Sequence, residues 1–178
     1  MILFYVSQPI FAQDTASVLI AFYSEGGHTK KLAQAVEKGV LSSGQKATLK
    51  SIEEVTEKDL LQADAIIVGS PVYNANVAPQ VQAFINSWPF EGAPLKNKLG
   101  AAFVTAGGVS AGEETAQLSI LRSMLIFGMV VVGGPEWTQA FGASAIHEEI
   151  ELTEEEMDRI FWEKGEKLGK RVGDLLKF

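Results

Sequence analysis

The sequence predicts a doubly wound three-layer α/β/α sandwich with a five-stranded parallel sheet in the order 2-1-3-4-5. Three observations predict it. From Ser17 onward, short apolar runs alternate with stretches of helical periodicity, the pattern of βαβ units around a parallel sheet buried on both faces. The chain has 178 residues, enough for one domain. Hydrophobic residues make up 47% of it and 17 are glycine, so it can bury a sizeable core and still turn tightly. Right-handed crossovers leave two common arrangements, this one and half of a larger doubly wound sheet; the length favours the first.

Taken in order, the apolar runs place strands at about 17–23, 47–52, 65–69, 100–105 and 129–133. The first helix carries Leu32, Val36 and Val40 on one face and is closed by Gly44. A short second helix runs from about Glu57 to Leu61. The third follows Asn76 as its N-cap, with Pro79 in the first turn and Val81, Phe84, Ile85 and Trp88 toward the core. Ser110 and Glu113 have the spacing of a capping box for the fourth, which buries Leu121, Met124 and Leu125. Thr153 and Glu156 form a second such pair. They open a final helix with Met157, Ile160, Phe161, Leu168, Val172, Leu175 and Leu176 at helical spacing.

Residues 17–178 therefore read as one domain and residues 1–16 as an N-terminal extension or the remnant of a signal peptide. The run from Ile2 to Ala12 resembles an export h-region, is too short to span a membrane, and has no Lys or Arg before it. The expectation is a cytoplasmic protein, or an exported one if those residues end a leader that starts upstream.

Composition excludes several function classes. The net charge of -7 and the lack of a basic stripe argue against nucleic acid as a partner. The acidic residues Glu148, Glu149, Glu151, Glu154, Glu155, Glu156 and Asp158 read as a solvated surface, with a docking patch as the alternative. With no cysteine there are no disulfides, thiolate catalysis or iron–sulfur clusters, and two histidines do not make a structural zinc site. Any redox chemistry must use a bound cofactor.

The loop Tyr23-Ser24-Glu25-Gly26-Gly27-His28-Thr29 leaves a buried strand and enters a helix. Such a junction aims unbonded N–H groups and the positive end of the helix dipole at one place, which suits an anion. Ser24 and Thr29 add hydroxyl donors. The loop matches neither the triphosphate-binding Gly-Lys-Ser/Thr pattern nor the dinucleotide Gly-x-Gly-x-x-Gly.

It does resemble the phosphate loop of the flavodoxin superfamily. The segment from Asp64 through Gly69-Ser70-Pro71-Val72-Tyr73-Asn74-Ala75-Asn76 to Val77 resembles the third-strand loop of one branch of it. That branch holds the FMN-dependent NAD(P)H:quinone oxidoreductases related to tryptophan-repressor-binding protein and the NADPH-dependent FMN reductases. Phe103 through Thr105-Ala106-Gly107-Gly108-Val109-Ser110 to Thr115 is similar to their glycine-rich fourth loop, and the likeness continues in 127–131 and 141–146.

The resemblance implies a flavodoxin-like fold, FMN as cofactor, NADH or NADPH as electron donor, and a small-molecule acceptor such as a quinone. It also implies a homo-oligomer, dimer or tetramer, that does not span the membrane. Ser24, Gly26, Gly27, His28 and Thr29 would hold the phosphate. Pro71, Val72, Tyr73, Asn74 and Asn76 would border the isoalloxazine ring, and Ala106, Gly107, Gly108 and Val109 would form the opposite wall. A flat ring needs apolar surface and a few polar groups, and glycines let backbone N–H groups approach it. No catalytic side chain is expected; donor and acceptor would alternate at one exposed face.

Ser70 and Thr105 read as strand ends, and His147, outside the matched loops, as structural. Phe127 stands where relatives often have a histidine near the flavin, and the 132–141 segment is short. Within it Trp137 has two readings, covering a ring or filling a core gap. Two rival functions stay open: a flavodoxin-type electron carrier without its own turnover, and a flavin-free scaffold.

Overall fold

Strands β1 (Ser17–Phe22), β3 (Ala65–Tyr73) and β5 (Leu99–Ala106) form the centre of a parallel sheet in the computed structural model, which describes residues 15–147 and 153–178. Successive side chains along a strand point to opposite faces. Val18, Ile20, Ile67 and Phe103 enter one apolar layer; Leu19, Ala21, Ile66, Val68 and Val104 enter the other. The first layer is covered by α1 (His28–Ser42) and α6 (Glu163–Leu175), through Leu32, Val36, Leu168 and Val172. The second is covered by α2 (Glu57–Gln62), α3 (Pro79–Asn86) and α4 (Glu113–Ile126), through Leu60, Val81, Ile85, Ile120 and Met124. A short α5 (Glu154–Met157) leads through a π turn, Asp158–Trp162, into α6.

The flavodoxin-like three-layer arrangement is present, but the strand count differs from expectation. The sheet has seven strands, with β2 (Lys46–Ser51), β1, β3, β5 and β6 (Val130–Val131) in that order; β4 (Asn76–Val77) pairs antiparallel with β3, and β7 (Ala143–Ile146) pairs with β5. The outermost position is shared. β6 pairs with Leu99 and Gly100, and β7 with Phe103 to Ala106. Between them Gly133-Gly134-Pro135 interrupts the edge, since proline has no N–H for the ladder, and the chain makes a 3-10 turn at Trp137–Gln139 before returning.

Three local expectations are corrected. Asn76 does not cap α3. It pairs with Tyr73 across a two-residue turn in which Asn74 and Ala75 both have positive φ, the geometry of a tight hairpin. The N-cap of α3 is Ala78, and its N–H donates to the buried Ser70 Oγ at 2.9 Å, so Ser70 ties down this turn.

The Ser110–Glu113 box does not form either, because Gly112 is the N-cap of α4 at φ 103 with no side-chain cap. On the same helix Leu125 is 54% exposed, since the buried face runs Ala116, Ile120, Leu121 and Met124.

The Thr153–Glu156 box is formed in both directions. Beyond it the π turn shifts the helical phase. Phe161, Leu168 and Val172 are buried, whereas Ile160 and Leu175 stand 37% and 40% exposed. The side chains of Glu154, Met157 and Asp158, residues 148–152 with Glu148, Glu149 and Glu151 of the acidic cluster, and residues 1–14 lie outside the described residues.

A capping box that the sequence reading passed over starts α2, where Thr56 and Asp59 bond reciprocally. Lys50 Nζ reaches both Asp59 oxygens at 2.8 and 2.9 Å. The Lys50 bond first, then those from Thr56, push the Asp59 carboxyl from an ordinary 3.8 down to about 2. A folded pKa below the unfolded one stabilises at pH values above the unfolded pKa and is lost as pH falls through the folded one. The stability gap between wild type and Asp59→Asn is therefore expected to be of order 1 kcal/mol at neutral pH. It should close between about pH 4 and pH 2 in urea melts. A gap that persists at pH 2 would contradict this role.

Candidate functional site

The carboxyl ends of β1, β3 and β5 bring three loops to one edge of the sheet, the side on which doubly wound folds bind ligands. The first loop ends at Gly27, the N-cap of α1, in the left-handed region at φ 89. Gly27 itself has no side chain to cap the helix, and the first turn holds no acidic residue. Its first N–H groups therefore face outward with the positive end of the dipole. Ser24 Oγ accepts the Lys30 N–H at 3.2 Å, which holds the loop in its turn.

Hydrogen bonds and one backbone contact join the loops. Thr29 is 2% exposed, and its Oγ1 lies 2.8 Å from Thr105 Oγ1, fastening the start of α1 to the end of β5. The Tyr73 hydroxyl donates to the Glu25 carboxylate at 2.9 Å, linking the third loop to the first. Burial, and then this bond to Glu25, raise the Tyr73 pKa above its ordinary value, so its hydroxyl stays protonated. Gly112 lies so close to the hairpin tip that a Cβ there would sit 2.5 Å from Ala75 Cα.

The result is an open cleft of about 310 Å³ lined by Ser24, Glu25, Gly26, His28, Thr29, Pro71, Tyr73, Thr105 and His147. Its lining combines the hydroxyls of Ser24, Thr29 and Thr105 with Pro71 and the Tyr73 ring.

Of the residues singled out from sequence, Ser24, Gly26, His28, Thr29, Pro71 and Tyr73 line this cleft, and Gly27 forms the helix start beside it. Val72 is half-buried and packs against both core layers. Asn74 and Asn76 sit at the hairpin tip. Ala106 is buried at the end of β5, Gly107 and Gly108 are half-buried, and Val109 is 58% exposed.

The cleft also contains Glu25, Thr105 and His147, which the sequence reading did not assign to it. Thr105 shows only as a strand end in sequence. His147 depends on β7: the ladder from Phe103–Ala143 to Ala106–Ile146 carries the next residue to the edge where the loops meet, and its N–H donates to Ala106 O at 3.2 Å. Its ring stacks on His28, centroids 3.8 Å apart and planes within 3°. It is therefore part of the cleft rather than a remote structural residue.

Two other expectations change. Phe127 lies within the chain at the opposite edge of the sheet, against Trp88 and Phe90. Trp137 is 88% exposed and fills no core gap. Among the described residues, no group of three or more His, Asp or Glu side chains is arranged to hold a metal ion, and no helix is long and apolar enough to cross a membrane.

Residues 49–144 match the family model described as NADPH-dependent FMN reductase. A flavodoxin of Clostridium saccharobutylicum is 34% identical over 163 residues, covering 87% of this chain and 96% of its own. An NAD(P)H dehydrogenase (quinone) of Azorhizobium caulinodans is 35% identical over 144 residues, covering 67% and 71% respectively. Among solved structures, a WrbA-like flavodoxin from Agrobacterium tumefaciens superposes with a TM-score of 0.76 at 22% identity, over 92% of this chain and 98% of that one. At that identity the likeness speaks to the fold.

Proposed function

The chain belongs to the NADPH-dependent FMN reductase family, a flavodoxin-like oxidoreductase family that uses FMN and NAD(P)H, and from that premise we propose that it passes reducing equivalents from NAD(P)H to a quinone or similar acceptor at the three-loop cleft. One observation carries the reading: the loops meet at a single edge, joined by the Thr29–Thr105 and Tyr73–Glu25 hydrogen bonds.

The residues fit FMN by their chemistry. A helix start with no acid in its first turn suits a phosphate ester, and Pro71 and Tyr73 offer apolar and aromatic surface to a flat ring. In this proposal Ser24, Gly26, Gly27, His28 and Thr29 hold the phosphate. Pro71, Val72, Tyr73, Asn74 and Asn76 border the ring, and Ala106, Gly107, Gly108 and Val109 form the facing wall.

FMN supplies the electron and hydride chemistry when bound, and the protein supplies binding, orientation and electrostatics. Thr29 and Thr105 fix the distance between the phosphate end and the glycine wall. Tyr73 keeps the one carboxylate of the first loop turned toward itself. The half-buried Gly107 and Gly108 let backbone N–H groups stand where charge develops, a favourable place for fixed dipoles.

A second reading, a flavodoxin-type carrier, draws on the flavodoxin relative that this chain spans almost end to end. One experiment separates them. Purified protein is expected to be yellow or to take up FMN, and then to oxidise NADPH steadily with a quinone and no other protein. Turnover only with an added reductase would make it a carrier. Protein that stays colourless after reconstitution with FMN would end the flavin reading.

A further inference from the structure

We infer that His147 is a second imidazole of the phosphate subsite, a binding residue contributed by the far end of the chain; this rests on the flavin reading of the cleft. The match to the flavin-reductase family model ends at residue 144, before His147, and the role rests on this chain's own geometry. Ile146 closes the β5–β7 ladder against Ala106, and the His147 N–H adds one more bond, to Ala106 O at 3.2 Å. The backbone is thus fixed at the rim where α1 begins. From there the ring reaches across to the first residue of α1 and stacks on His28 at 3.8 Å, with planes 3° apart. Both rings line the cleft that holds Ser24, Gly26 and Thr29.

Stacking engages the faces of two imidazoles, whereas an imidazole hydrogen-bonds from its edge. The contact therefore orients both ring edges together. Two imidazole edges held side by side can each present an N–H to one acceptor, which suits an anion with several oxygens. The other ionisable groups lining this cleft are Glu25 and Tyr73, which are bonded to each other. Nearby on α1, Lys31 lies over the Trp162 ring at 5.0 Å. A phosphate monoester is the ligand class that this end of the cleft recognises, and His147 discriminates it from the same molecule without its phosphate.

The test titrates flavin-free wild type, His147→Phe and His147→Gln with FMN and separately with riboflavin, following flavin fluorescence, with a thermal melt for each protein. Phe keeps an aromatic face and removes the polar edge; Gln keeps an edge donor and removes the ring. His147→Phe is expected to bind FMN at least roughly tenfold more weakly and riboflavin as well as wild type does, with His147→Gln between the two for FMN. Equal FMN affinity in all three proteins would overturn the inference, as would parallel loss of FMN and riboflavin, which marks a packing role. Wild type that binds neither flavin would remove the flavin reading itself and the inference with it.

Discussion

Gly169→Ala is expected to destabilise the fold by about 1–3 kcal/mol, although the same exchange inside a helix ordinarily stabilises by roughly 1 kcal/mol. The sign reverses because of what a methyl group would meet. A Cβ at Gly169 would lie 2.0 Å from Val36 O and 3.0 Å from Val40 N, both backbone atoms of α1. Backbone cannot rotate aside, so the two helices must separate. Gly165 and Gly173 sit on the same face at helical spacing, against Leu32 and Ser43, and α1 answers with Gly39 against Glu166 O.

α1 also carries the candidate phosphate loop at its start. Pushing it outward strains the 2.8 Å contact between Thr29 and Thr105, so FMN affinity should fall with stability. Denaturant melts and flavin titration of the variant measure the two effects. As an internal comparison, Gly165→Ala should cost less, because the nearest atom there is the end of the Leu32 side chain at 2.9 Å, which can shift. If Gly169→Ala melts at or above the wild-type midpoint, the close approach of these helices does not set their spacing.

That glycine stripe marks where sequence reasoning stopped. Apolar alternation located the five main strand positions because a doubly buried strand must be apolar throughout. The same rule missed β7, whose Ala143, Ser144 and Ala145 are too small to make an apolar run. Without β7, nothing placed His147 at the cleft. Glycines 165, 169 and 173 lower helix propensity and left no mark in a count of large apolar residues; their purpose appears only when α1 is packed against them.

Turn chemistry misled in a similar way. Asn76 and Ser110 are good capping residues, but the turn at Asn74-Ala75 has no glycine to announce a hairpin, and a buried Ser70 bonds the Ala78 N–H that Asn76 was expected to serve indirectly. The phosphate-loop and third-loop candidates were legible for a simpler reason. An apolar strand ending in small, hydroxyl-bearing or glycine residues before a helix has few structural uses, and two of the three candidate loops place side chains in one cleft.

Gly27→Asp should separate stability from function in the opposite direction to Gly169→Ala. A Cβ at Gly27 meets nothing within 4 Å, so space is not the issue, but its φ of 89 strains any residue with a side chain, Asp and Asn less than most. A carboxylate at a helix start gains roughly 0.3–1 kcal/mol from the dipole against about 1–2 kcal/mol for the left-handed backbone, so stability should fall by only about 1 kcal/mol. The same charge occupies the place of a bound phosphate. Two like charges about 4 Å apart repel by roughly 4 kcal/mol at an effective dielectric of 20, and screening leaves about a hundredfold weaker FMN binding.

Gly27→Asn, equal in shape and uncharged, should keep most of the affinity, and riboflavin should bind Gly27→Asp normally. Tyr73→Phe extends the argument to a carboxylate already present. It frees Glu25 from its 2.9 Å hydrogen bond, so FMN binding should weaken by a smaller factor that Glu25→Gln restores. Gly27→Asp protein that binds FMN as tightly as wild type would place the phosphate somewhere other than the start of α1.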